Sequence, residues 1–371
     1  MKQSILVAAL LAIAVPAHAQ LGGLLNKAQK VADAKNKFDD LNVTEEEERK
    51  IGEDVSAKIR QRFGVVQSAP VHKYVTLVGT VLAKQSERPA LPWTFIVLDT
   101  DGVNAFASPG GIIHITRGAL GLIKSEAELA AVLAHEIGHV SHKHTVNAIK
   151  KNKAVQLGTS ETLSDRGPFL DKLANKAYEM VLENKFDRGD EMDADKVSVT
   201  LAEKAGYAPG TLATFLTRLD ERNKDQPVQN GLFASHPETK ERIETIKKLA
   251  GAKTGATVEA RYKENINYEP TPVTAIATVE DGASGLTGST APAKDKAKKD
   301  EAKKEEPAKK GFGLGSLKPA SSSERQTAQV SASGGSRGVG PDRNAKGGGN
   351  PAIVKASVTD AEVTAFKKGI A

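Results

Sequence analysis

Apolar residues recur at helical or strand spacing through the first two thirds of the chain, and the pattern then fades. From Leu21 to Phe63 the sequence reads as helix, with Thr44 three residues before Glu47 as a capping box and Ile51, Val55 and Ile59 at four-residue spacing. A second amphipathic helix is predicted over Val71 to Lys84 through Tyr74, Leu77, Val78, Val81 and Leu82. After Pro92, the run Trp93 to Leu98 reads as a buried strand. Pro109-Gly110-Gly111 marks a turn into its partner strand, Ile112 to Thr116. Ser125 with Glu128 is another capping box, opening a helix to about Ile149. Residues 150–185 are a more polar connection broken by Gly167-Pro168, and a further helical pattern runs from about Lys172 to Ala205.

Both ends differ in character from this body. Residues 1–19 carry Lys2, an apolar run from Ile5 to Val15 and the triplet Ala17-His18-Ala19, which predicts a secretory signal peptide cleaved after Ala19 and hence an exported, periplasmic protein. Eleven apolar residues fall short of the ~20 needed to span a bilayer, and no later stretch is long and apolar enough, so the mature chain is expected to have no transmembrane segment. Residues 20–44 read as a helical extension and 45–250 as the body. Residues 251–371 read as a low-complexity, largely disordered tail with four aromatics, too little apolar bulk to offset the entropy of ordering. Thr359 with Glu362 could cap a last short helix over 359–368 that either docks or frays. The tail holds 19 basic and 14 acidic residues, so most of the net +6 lies there, interleaved rather than clustered. That argues against nucleic acid as a partner and leaves the tail as a means of peripheral envelope association.

The chemistry starts from an absence. With no cysteine, a metal here needs His and carboxylate ligands. His135-Glu136-Ile137-Gly138-His139 falls inside a predicted helix, where two imidazoles one turn apart can reach a single zinc while Glu136 faces the same ion through a water. Such a carboxylate takes the proton of a water whose pKa the metal has lowered. Glu191 and Asp195, four apart in a second helical stretch, supply a third ligand and an acceptor for the free ring N–H of His135. The alternative for this acidic run is an exposed charged face, and the upstream pair of histidines decides against it. His142 is too far along the helix to share the ion with His135, so His142 and His144 read as outer or surface groups. Gly138 inside a helix leaves two readings open, close packing on its backbone or mere tolerance. His236 follows Ser235 in a capping box with Glu238, where it reads either as a surface residue or as a group that could donate to a developing oxyanion or occupy the open position of the zinc. His72 and His114 have no partners in spacing and read as structural.

Four landmarks in this order, Asn104-Ala105-Phe106-Ala107-x-Pro109-Gly110-Gly111, the segment Glu128 to Val140, the pair Glu191 and Asp195, and Ser235-His236-Pro237, are those of a known family. The chain resembles the CAAX-prenyl-protease-like zinc metallopeptidases, metallopeptidase family forty-eight, and looks closest to their secreted bacterial branch, the group of the beta-barrel assembly-enhancing protease. The resemblance covers residues 45–250. It implies an α+β, mainly helical gluzincin domain with a small β-sheet, one zinc ion held by His135, His139 and Glu191, Glu136 as general base, and an active-site role for His236. It also implies cleavage of internal peptide bonds in misfolded or misassembled envelope proteins, with the strand Ile112 to Thr116 as the edge on which a substrate is laid. Asp187-Arg188 and Asp193-Ala194-Asp195 stand where members of the branch often carry Ser-Arg and Glu-Ala-Asp. The branch's helical-repeat domain has no counterpart here, which leaves the tail to deliver substrates. A chaperone-like or scaffold protein that retains zinc for stability or regulation is the alternative.

Overall fold

The computed structural model describes residues 43–151, 167–183, 186–224, 236, 239–276 and 346–370. The expected signal peptide, the extension before residue 43, residues 152–166 and 184–185 of the polar connection and the tail between 277 and 345 lie outside the described residues. The chain separates into two units, Met1–Glu45 and Glu46–Ala371, and the fold below is that of the second.

Helix α1 (Glu45–Phe63) buries Ile51, Val55, Ile59 and Phe63, the stripe that its spacing predicts. Helix α2 (Ala69–Ala83) starts with Pro in its first turn, where the missing N–H costs nothing. It presses on strand β1 (Thr94–Leu98) so closely that a Cβ at Gly79 would lie 2.4 Å from the Phe95 ring. Strands β2 (Ala105–Ser108) and β3 (Ile112–Thr116) complete a three-stranded sheet of order β1-β3-β2. The partner across the Pro109–Gly111 turn is therefore β2, antiparallel to β3, while β1 pairs with β3 in parallel. Gly110 and Gly111 have φ of 72° and 94°, the left-handed conformation that glycine adopts without penalty. Since β3 is hydrogen-bonded on both sides, the substrate edge expected at Ile112 to Thr116 is not available. Its residues are the middle of the sheet, with β1 and β2 as the outer strands; β1 is bridged at Leu98 to Val65 on its other side, whereas β2 pairs with β3 alone among the described residues.

After the short helix α3 (Arg117–Leu122), helix α4 (Glu126–Ser141) runs through the middle of the body with every residue buried. Ser125 caps it by accepting from the Glu128 N–H. The predicted continuation to Ile149 does not occur. The helix closes at His142, Lys143 turns left-handed at φ 55°, and helix α5 (His144–Lys151) starts in a new direction. The pattern from Lys172 to Ala205 likewise divides into α6 (Gly167–Glu183) and α7 (Arg188–Ala205), because Asp187 caps a new helix by accepting from the Asp190 N–H. Helix α7 ends at Gly206, φ 97°, in the left-handed cap that stops helices. It packs along α4 at Gly138, where a Cβ would come within 3.0 Å of the Ala194 Cα and 3.1 Å of the Val197 Cβ, so close packing is what that glycine serves. Helices α8 (Thr211–Asn223) and α9 (Thr239–Ala250) cover the far side. The result is a mainly helical α+β fold with a small sheet.

Order extends beyond residue 250. Helix α10 (Glu259–Asn265) buries Tyr262, and residues 347–350 lie against the end of β1, with Gly348 donating to the Asp99 carbonyl at 2.8 Å and Val65 to the Asn350 carbonyl at 2.7 Å. A capped helix α11 (Asp360–Lys368) then packs on α2, burying Val363 and Ile370. Composition averaged over 121 residues conceals these segments, because the few apolar groups are placed where they are used. Phe366 covers the Arg261 guanidinium at 4.0 Å, and Arg261 donates at 2.7 Å to Glu126, a buried carboxylate that also accepts from Tyr74 and Tyr207 at 2.8 and 2.6 Å.

Candidate metal centre

Helix α4 projects His135, Glu136 and His139 toward α7, and α7 meets them with Glu191 and Asp195. The two imidazoles point the same nitrogen inward, His135 Nε2 to His139 Nε2 being 3.1 Å. Glu191 Oε2 lies 3.5 Å from His135 Nε2, and Glu191 Oε1 lies 3.5 Å from His139 Nε2. His236 completes the group, its Nδ1 being 2.8 Å from Glu191 Oε1 and 3.3 Å from His135 Nε2. Four buried residues thus offer donor atoms within 4.8 Å of one another. An all-nitrogen and oxygen set of this kind suits zinc.

Asp195 stands one turn beyond Glu191 and faces the outer side of His135, with Oδ1 3.0 Å from Nδ1. That hydrogen bond fixes the ring so that Nε2 carries the lone pair inward. Burial drives the His139 ring well below its ordinary pKa despite the pull of Glu191, which keeps it neutral as a ligand must be. For Glu191 burial pushes up, yet His236 and Arg242 outweigh it and hold the carboxyl well down, in its anionic form. Both carboxylate oxygens of Glu136 are buried without a hydrogen-bond partner, an arrangement that water or substrate at the site would relieve. Burial also pushes the Glu136 carboxyl up, against the opposing charges of His236 and His135, toward the range a general base needs.

Two groups near the centre, Arg242 and Phe186, escape the reading of the sequence, while His144 takes the outer place that the sequence offered it. Arg242, from α9, donates to both oxygens of Asp195 at 2.8 and 2.7 Å and lies 2.8 Å from Glu191 Oε2. It follows the same inward stripe as Ile246 and Ala250, four and eight residues on, and a charge in line with apolar positions is the signal that could have marked it. Phe186 packs its ring 4.1 Å from that of His139 and closes the apolar side. His144 places Nδ1 3.0 Å from His139 Nδ1. Ser235, Pro237 and Glu238, the rest of the predicted cap around His236, lie outside the described residues. His72 and His114 are buried away from the site, bonded to the Val66 carbonyl and the Ser56 hydroxyl at 2.9 Å each. No described helix is long and apolar enough to cross a membrane.

Residues 71–250 match the model of Peptidase family M48. Among curated proteins, the chain is 24% identical over 212 residues to the putative beta-barrel assembly-enhancing protease of Vibrio cholerae, covering 54% of this chain and 43% of that one. It is 27% identical over 218 residues to the mitochondrial metalloendopeptidase OMA1 of Schizosaccharomyces pombe, 57% and 63% of the two chains, and 29% identical over 163 residues to the metalloprotease LoiP of Escherichia coli, 42% and 62%. The match to the beta-barrel assembly-enhancing proteases thus spans less than half of their length. The likeness falls on the segment that carries β1 to β3, α4, α7 and α9, and over those residues the chain is similar to peptidase family M48.

Proposed function

We propose that this chain is a zinc-dependent endopeptidase of the bacterial periplasm that cleaves internal peptide bonds of misfolded or misassembled envelope proteins. The observation that carries it is the convergence of His135, His139 and Glu191 on one point beside Glu136, whose two buried carboxylate oxygens have no hydrogen-bond partner. Those three side chains would hold a single zinc ion, and Asp195 would orient His135. Zinc, when bound, lowers the pKa of a water and polarises the scissile carbonyl. Glu136 accepts the proton of that water as oxygen attacks the carbonyl carbon, then passes it to the amine nitrogen as the C–N bond breaks. The apolar wall of Phe186 helps to exclude bulk water. The one-sided strand β2 gives an extended substrate chain backbone groups to pair with.

His236 stands among the donors rather than apart from them, 3.8 Å from Glu136 Oε1 through Nε2. As a fourth protein ligand His236 would close the zinc site, and withdrawn from the ion it could donate to a developing oxyanion, so its place decides between blocking and assisting. The names of the relatives support substrates of the beta-barrel assembly kind, and the apolar leader at residues 1–19 supports export.

The test is zinc content together with casein digestion for the wild type, the chelated protein and Glu136→Gln. Proteolysis that needs the metal and falls ~10²–10⁴-fold in Glu136→Gln, with zinc retained, is expected. Full activity in Glu136→Gln would exclude the hydrolytic role. The donor group is also compatible with a scaffold whose zinc is fully enclosed, since four protein donors are present. That reading requires envelope function to survive Glu136→Gln.

A further inference from the structure

A second group of metal-ligating side chains lies beside the first, on the side where α4 gives way to α5. We propose that His142 Nδ1, His144 Nε2 and the Asp193 carboxylate form a second divalent-cation site, coupled to the first through His139. The three donors lie within 4.8 Å of one another. Asp193 Oδ2 is shared between them, paired with His142 Nδ1 and 3.3 Å from His144 Nε2. Asp190 Oδ1, 3.8 Å from His144 Nε2, is within reach as a fourth donor.

The backbone is bent to bring these rings together. In an unbroken helix residues 142 and 144 would point about 200° apart. The left-handed Lys143, φ 55°, folds the chain so that the ring centroids are 5.7 Å apart. A non-glycine residue in that conformation is held there by its surroundings, and Lys143 Nζ pairs at 3.2 Å with the buried Glu48. On the far side of His142, Nε2 lies 3.2 Å from Glu87, the carboxylate partner that orients a ligating imidazole. Two nitrogens and one or two carboxylates select zinc, cobalt or nickel over calcium and magnesium. Unlike the first group, this one is partly open to solvent, the Asp193 side chain being 42% exposed, so its cation exchanges with the medium.

The coupling follows from proton placement and rests on the zinc reading of the first site. A His139 that ligates through Nε2 keeps its proton on Nδ1 and donates it to His144 Nδ1, 3.0 Å away. His144 then carries its own proton on Nε2, toward Asp193. A cation at His144 Nε2 moves that proton to Nδ1 and sets two N–H groups against each other, which weakens the orientation of His139. Excess zinc therefore inhibits.

The experiment equilibrates the full chain with zinc at rising free concentration and reads bound metal by mass spectrometry alongside proteolysis. Two zinc ions per wild-type chain are expected, and one in His142→Gln. That variant should keep the activity of the singly loaded wild type while its inhibition by zinc moves at least ~10-fold higher in concentration. One ion per wild-type chain at saturation, or two in both proteins, overturns the proposal. In Glu191→Ala, one ion that is lost when His142→Gln is added supports the second site independently of the first. Two ions in a wild type without proteolysis would remove the hydrolase reading and leave this site standing.

Discussion

Arg242 sets the electrostatics of the centre. Two carboxylates and several imidazoles share a buried space, and the guanidinium neutralises the acidic side by bonding Asp195 through both oxygens and approaching Glu191. Replacing it with alanine leaves those carboxylates buried and uncompensated. A loss of about 3–5 kcal/mol is expected in urea unfolding of Arg242→Ala, and a Lys substitution should recover only part, because a single ammonium cannot reproduce the fork. Asp195→Ala has a different signature. Removing the acceptor at 3.0 Å from His135 Nδ1 lowers zinc affinity by ~10–100-fold, as competition with a chromogenic chelator would measure, while the three inward donors remain. The spacing of His135, His139, Glu191 and Asp195 is visible along the chain, since helical periodicity alone puts each pair on one face. Arg242 and Phe186 are not, because nothing local says which distant side chains fold over a site.

At the level of elements, the hinge around Glu48 links three parts of the body. Its carboxylate takes both arms of Arg88 at 2.8 and 3.0 Å, the Gly110 N–H at 3.1 Å and Lys143 at 3.2 Å, so α1 is tied to the β2–β3 turn and to the break between α4 and α5. Burial pushes the Glu48 carboxyl up, but Arg88, Gly110 and Lys143 together take it below its ordinary 4.5. A carboxyl lowered by folding stabilises the protein above its unfolded-state pKa, and the contribution is lost as pH falls through the folded value. Glu48→Gln should therefore be less stable by about 3 kcal/mol at neutral pH, and the gap to the wild type should narrow below about pH 4 in acid-unfolding curves. The elements themselves were partly legible. The helix over 69–83 and the strands over 94–98 and 112–116 follow from periodicity and turn residues. The four-residue β2 is too short for alternation to mark, and the parallel pairing of β1 with β3 is a long-range choice. The kink at Lys143 depends on Glu48, 95 positions upstream.

On the scale of the whole molecule, the body is closed by residues far along the chain. Segment 346–370 crosses the ends of α1 and β1 and finishes on α2, where Lys73 pairs with Glu362 at 2.6 Å and Lys84 with Asp360. These exposed pairs contribute little, so the hold comes from Val363, Ile370 and the Phe366–Arg261 contact. Deleting residues 346–371 exposes Val65, Tyr74 and Arg261, and a loss of about 2–4 kcal/mol is expected, read as a fall in melting temperature of roughly 4–16 °C.

The backbone that leaves the body at Ile276 returns to it at Lys346. Segment 346–370 is therefore held on the body by a covalent tether as well as by its own contacts. A hold of about 2–4 kcal/mol corresponds, once the tether is cut, to a dissociation constant of about millimolar or weaker, so a single nick between Ile276 and Lys346 would release the severed piece on dilution.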